Sequence, residues 1–153
     1  MLSDLERLVI TEEDRENLLE RVGWLEEALY KQGDTGFDMV MKNKIETPLA
    51  EIITQEINSR KIIAVIEKIN LLLREIKYIL MKYKVMRLTI ATELPLSIIE
   101  DIHRYVYDNV GSGIIFKIDI NKDLIAGAVI EYEGKFGDFS KRQKFEKIDW
   151  SKL

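Results

Sequence analysis

The spacing of apolar residues changes near residue 85, and this change limits the folds open to the chain. Before it, apolar positions recur every three or four residues, as one face of a helix requires. After it, alternation, β-branched residues and most of the glycines take over, the pattern of strands and turns. The expected class is therefore α+β. A helical bundle over residues 1–84 precedes a small mixed-sheet β-α-β-β-α domain over residues 85–153.

In the first part, Thr11 with Asp14 predicts a helix start, and Leu18, Val22, Leu25 and Leu29 form its stripe. Gly33-Asp-Thr-Gly36 reads as a loop, followed by a short helix through Phe37, Val40 and Met41. Thr47-Pro48 pairs a capping side chain with a proline in the first turn. The helical pattern then runs to Lys84 with a break at Asn58-Ser59-Arg60, which gives about four helices. Beyond the break, Ile62, Ile66, Ile69, Leu73, Ile76, Leu80 and Tyr83 step by three and four, with Val65, Leu72 and Ile79 as a second row. A stripe this wide exceeds what one face on a monomer needs, so the helix is expected either to be buried in a bundle, as an ordinary core helix, or to keep one flank for a partner helix. Residues 1–38 hold 4 basic and 11 acidic groups, net −7, and residues 39–84 hold 9 and 5, net +4. Opposite signs suggest that these two stretches face each other.

In the second part, Met86, Leu88 and Ile90 alternate as a first strand. Pro95-Leu-Ser97 leads into a helix, and Ser97 with Glu100 reads as a capping box. Ile98, Ile99, Ile102, Val106 and Val110 supply its apolar face, and Gly111-Ser-Gly113 ends it. Ile114, Phe116, Ile118 and Ile120 form a second strand, and the long crossover predicts that it runs parallel to the first. Ala128 to Glu133 is a third strand, with Glu133-Gly134 as the turn into a short return strand. Ser140 with Gln143 opens a last helix, anchored by Phe145 and Ile148.

Composition narrows the chemistry. The 153 residues contain no cysteine and one histidine, which excludes disulfides, thiolate catalysis and Cys-based metal sites. No residue set has metal-ligand spacing, and no cofactor is expected. With 23 basic and 27 acidic residues, net −4, a general nucleic-acid binder is not expected. The tail from Ser140 is net +3, with Phe145 and Trp150 interleaved, and reads as a basic final helix. The longest stretch free of charge, Asn109 to Phe116, is far short of a membrane span, so no direct membrane insertion is expected. The opening Met1-Leu-Ser-Asp-Leu-Glu-Arg7 lacks the apolar run of a secretory leader.

Phosphate-binding glycine loops are absent from the sequence: Gly111-Ser-Gly113 follows a helix rather than a strand. A triad of Ser140, His103 and Asp138 or Asp119 can be written. It lacks the Gly-x-Ser-x-Gly elbow, and Ser140 already has a capping role. His103 keeps register with Ile99, Val106 and Val110 and reads as a histidine at the edge of a core. No catalytic residues are expected.

Three segments resemble the C-terminal part of the delta subunit of F-type ATP synthases, the oligomycin-sensitivity-conferring protein of mitochondria. They are Thr89-Ile-Ala-Thr-Glu-Leu-Pro-Leu-Ser97, Asn121-Lys-Asp-Leu-Ile-Ala-Gly127 and Asp138-Phe-Ser140. Residues 52–82 are similar to the last two helices of that family's N-terminal bundle, here shortened from six helices. The second segment carries Asn121 for the usual Asp, Lys122 for Pro and Ala126 for the first Gly. The resemblance implies a non-catalytic stator that links alpha subunits of the catalytic head to b-type stalk subunits at the cytoplasmic face of the membrane. It makes Ser97, Glu100, Leu124, Gly127, Asp138 and Ser140 structural motif positions. The region of Ile62, Ile66, Ile69 and Leu73 is expected to pack the bundle with a flank towards an alpha-subunit helix, and Phe136, Phe139 and Phe145 are the candidate contacts towards the stalk. The stator of a flagellar or type III export ATPase shares part of the pattern. It carries a long Gly-x-x-x-Gly helical repeat that is missing here.

Overall fold

The computed structural model describes residues 2–62, 65–124 and 127–138. Among these are six α-helices, five of them ahead of the first strand, and a four-stranded mixed sheet. The class is α+β, as the change of periodicity implies. Contacts divide the chain into two compact units, one of residues 1–9 and 14–82 and the other of residues 10–13 with those from 83 onward.

The first unit holds α1 (Leu2–Leu8), α2 (Glu12–Ala28), α3 (Phe37–Lys44), α4 (Thr47–Ser59) and α5 (Ile66–Met81), with a 3-10 turn at Gly33–Thr35. Its core is aliphatic: Leu5, Val22, Leu25, Leu49, Ile53, Leu73, Ile76 and Leu80 are wholly or almost wholly buried. Five helices stand where the periodicity predicts about four, because α1 has too few turns to show a repeat. It packs on α4 and buries Leu5, so tertiary contact rather than propensity holds it. Thr47 is the first residue of α4 rather than its cap. Glu46 caps through its backbone, the Ala50 amide donating to the Glu46 carbonyl at 3.0 Å, and Pro48 sits in the first turn.

The predicted break after α4 is a Schellman turn. The Ile62 amide donates to the Ile57 carbonyl at 2.9 Å and the Lys61 amide to the Asn58 carbonyl at 3.1 Å. Lys61 takes the left-handed conformation, φ +50°. Ile62 is therefore spent in closing α4 and is not part of α5, which corrects the continuous stripe drawn through it. Tyr83, the last residue of that stripe, also lies outside α5, whose C-cap is Lys82.

The second unit is built on β1 (Lys84–Ile90), α6 (Leu96–Asn109), β2 (Ile114–Ile120), β3 (Ala128–Tyr132) and β4 (Lys135–Asp138). Strand order is β2-β1-β3-β4, with β1 parallel to β2 and the other two pairings antiparallel. Met86, Leu88, Phe116 and Ile130 on the sheet meet Ile102 and Val106 of α6. The predicted turn holds: Glu133 and Gly134 both have positive φ, +49° and +75°, the geometry of a two-residue hairpin that follows strand twist. Burial on β2 does not alternate at its start, where Ile114, Ile115 and Phe116 are all buried, and Ile120 is exposed at its end.

Two features depart from the sequence reading. Residues between α1 and α2 reach β2, where the Phe116 amide donates to the Ile10 carbonyl at 2.8 Å and Thr11 bridges Phe116 in parallel. Ser97 and Glu100 form no capping box. Helix α6 begins two residues earlier than a cap at Ser97 would start it, at Leu96, on the Pro95 carbonyl, which accepts from the Ile98 amide at 3.0 Å. Pro95 has φ near −55° and ψ near 145°, so its backbone alone turns the chain into the helix, and Ser97 and Glu100 are both exposed. The helix expected from Ser140 lies outside the described residues.

Candidate partner-binding surfaces

Helix α5 decides which of the expected contact residues can meet a partner. Its inward face at Ile69, Leu72, Leu73, Ile76 and Leu80 is buried in the bundle. Ile69 and Leu73 thus take the bundle-packing part of the expected role and, being buried in the chain's own core, are corrected as partner contacts. Ile66, at the start of the helix, is 40% exposed, and Ile62 in the preceding turn is half-buried. The apolar residues facing outward are others: Leu71, Tyr78 and Met81, 64%, 60% and 66% exposed. Periodicity concealed them, because Leu71 stands in the run Leu71-Leu-Leu73 and reads as part of one broad stripe. Leu71 and Tyr78 are two turns apart and share a face with Arg74 and Lys82. The Lys82 ammonium lies 4.3 Å from the centre of the Tyr78 ring, which holds that ring along the helix.

Ion pairs set the helices around this face. Glu26 of α2 meets Lys77 of α5 at 2.8 Å, and Arg60 reaches both Glu56 at 2.9 Å and Glu75 at 2.6 Å. Hydrogen bonding to Arg60 holds the Glu75 carboxyl below the ordinary carboxylate range, and bonding to Glu75 raises Arg60. Arg21 pairs with Glu46, joining α2 to the start of α4. An open groove of about 790 Å³ runs between α3 and α4, floored by Met41, Ile45 and Ala50.

In the second unit, Phe136 on β4 is 68% exposed. Register places it beside Glu131, which lies beside Arg87, which lies beside Lys117. This face is a ladder of charge. Arg87 approaches Asp119 at 3.4 Å and Glu131 at 3.6 Å, and Lys117 approaches Glu12 at 3.5 Å. Lys84 pairs with Glu133 across the hairpin end, and that bond raises its pKa. Phe139, Phe145 and Ser140 lie outside the described residues, as does the side chain of Asp138.

Within residues 121–127, Asn121 and Gly127 shape the turn. Asn121 closes an Asx turn: its Oδ1 accepts from the Asp123 amide at 2.9 Å and its carbonyl from the Leu124 amide at 3.2 Å. Gly127 has φ +111°, a conformation that side chains with a Cβ rarely adopt, immediately before β3. Leu124 is half-buried between them.

His103 donates from Nε2 to the Ile114 carbonyl at 3.0 Å and sets its ring edge-on to Phe116, centroids 5.6 Å apart. Its Nε2 proton is committed to backbone, and Asp119 is engaged with Arg87 rather than with His103. Among the described residues no group of three or more His, Asp or Glu side chains could hold a metal ion. None of the helices there is long and apolar enough to cross a membrane. No protein-family model matches the chain, and no curated protein matches it.

Proposed function

We propose that this chain is a non-catalytic peripheral-stalk subunit of a rotary F-type ATP synthase, joining alpha subunits of the catalytic head to b-type stalk subunits at the cytoplasmic face of the membrane. The observation that supports this reading is the placement of large apolar side chains outside both units, Ile66 at the start of α5 and Phe136 on β4. A stator must resist torque through binding area, about 1,200–2,000 Å² for a standard interface, and needs no reactive group. The Asx turn at Asn121, the left-handed Gly127 and the parallel β1–β2 pair give the resembling segments structural roles, which suits a subunit whose motifs hold a fold together.

The test is purification of the tagged chain from its native host, with its partners identified. Head and stalk chains should co-purify. Phe136→Glu should reduce recovery of the stalk subunits and Ile66→Glu recovery of the alpha subunits, each with an unchanged circular dichroism spectrum. Recovery of no synthase chain by the unaltered protein rejects the reading.

A further inference from the structure

We infer that the outward face of α2 and α5 pairs with the same face of a second copy of this chain. The two helices lie side by side: Glu26 meets Lys77 at 2.8 Å, and the Tyr30 hydroxyl accepts from Asn70 Nδ2 at 3.4 Å. These contacts step forward along α2 and backward along α5, so the helices run antiparallel. Their solvent sides carry opposite charge. Helix α2 exposes Glu13, Glu16, Glu20 and Glu27, of which, among the described residues, Glu27 alone meets a basic side chain, Lys31 at 3.6 Å. Helix α5 exposes Lys68, Arg74 and Lys82 around Leu71, Tyr78 and Met81; against them stands Glu67, while Glu75 is committed to Arg60.

A two-fold axis lays α2 of one copy on α5 of the other, twice. Each acidic flank then meets a basic one, and the apolar line of α5 leaves water. Gly23 is an independent sign of close approach. It stands in the middle of α2, three residues from Glu20, four from Glu27 and seven from Tyr30, on the same side of the helix. A Cβ built there meets no atom within 4 Å, so no contact among the described residues calls for glycine. A glycine in a helix interior weakens the helix, and the missing Cβ leaves room for another backbone to come near. The face is separate from Ile66 and Phe136, so the inference stands or falls independently of the stator reading.

Analytical ultracentrifugation of the full chain over a range of concentrations tests it. A reversible monomer–dimer equilibrium is expected, weakening as salt rises because its charges are screened. Leu71→Glu with Tyr78→Glu should raise the dissociation constant at least about 30-fold, the effect of losing a buried apolar anchor. Gly23→Ala should raise the melting temperature while weakening the dimer, opposite signs that a merely structural glycine does not produce. Charge reversal gives the sharpest arm. Lys68→Glu with Arg74→Glu, and separately Glu16→Lys with Glu20→Lys, should each make the chain monomeric, and mixing the two variants should restore a mixed dimer. A chain that stays monomeric at every concentration and salt overturns the inference, as does a dimer unaffected by these substitutions.

Discussion

Lys61 shows how a single backbone angle can be read as stored cost. It occupies the left-handed region at φ +50°, in the Schellman turn that ends α4, a position glycine fills without a Cβ penalty. Relief of that penalty, about 1–2 kcal/mol, exceeds the extra entropy glycine loses on folding. Lys61→Gly should therefore stabilise the first unit by about 0.5–1 kcal/mol, checked by urea unfolding. An equal or lower midpoint would mean that the turn is not strained. The residue scale was only partly open to sequence reading. Asn58-Ser59-Arg60 marks the break, and Glu133-Gly134 marks the hairpin turn, because turn chemistry is local. Ser97-x-x-Glu100 matches a capping box yet forms none, since Pro95 caps the helix two residues sooner and leaves both side chains in water.

At the scale of elements, α5 is tied to the end of α4 by Arg60 and Glu75. The Glu75 carboxyl is held below its ordinary value in the folded chain. Its contribution is therefore fully present above the usual Glu pKa, about 4.3, and is lost as pH falls through the lowered value. With both side chains about two-fifths exposed, 39% and 42%, the pair is screened and contributes less than about 1 kcal/mol. The melting temperature of the unaltered chain should exceed that of Glu75→Gln at neutral pH, and the gap should narrow as pH falls below the usual Glu range and close in stronger acid, below the lowered value. A gap that does not shrink as the solution is acidified would assign the effect to packing instead. Periodicity located α5 and its inward face, because buried positions must repeat with the helix. It could not separate Leu73, wholly buried, from Leu71, exposed, since both are leucines in one apolar run and only the neighbouring helices decide which turns inward.

For the molecule as a whole, the detour of residues 10–13 carries the main consequence. Phe116 of β2 gives its amide to the Ile10 carbonyl, and Thr11 bridges the same residue, so this stretch covers one side of a strand whose other side pairs with β1. A chain starting at Asp14 should leave the Phe116 amide open to water. Its hydrogen exchange should quicken to that of an unpaired amide, while amides of β1 stay protected; unchanged protection at Phe116 would show that the pairing is dispensable. Sequence periodicity by itself determined the α+β class, the parallel β1–β2 pair and the β3–β4 hairpin, since each follows from local spacing and the reach of a connection. Only the tertiary structure decided that α1 forms, that Ile10 and Thr11 serve the sheet, and which leucines of α5 face water. Those outcomes depend on what lies across from each residue, and a linear pattern does not contain the neighbour.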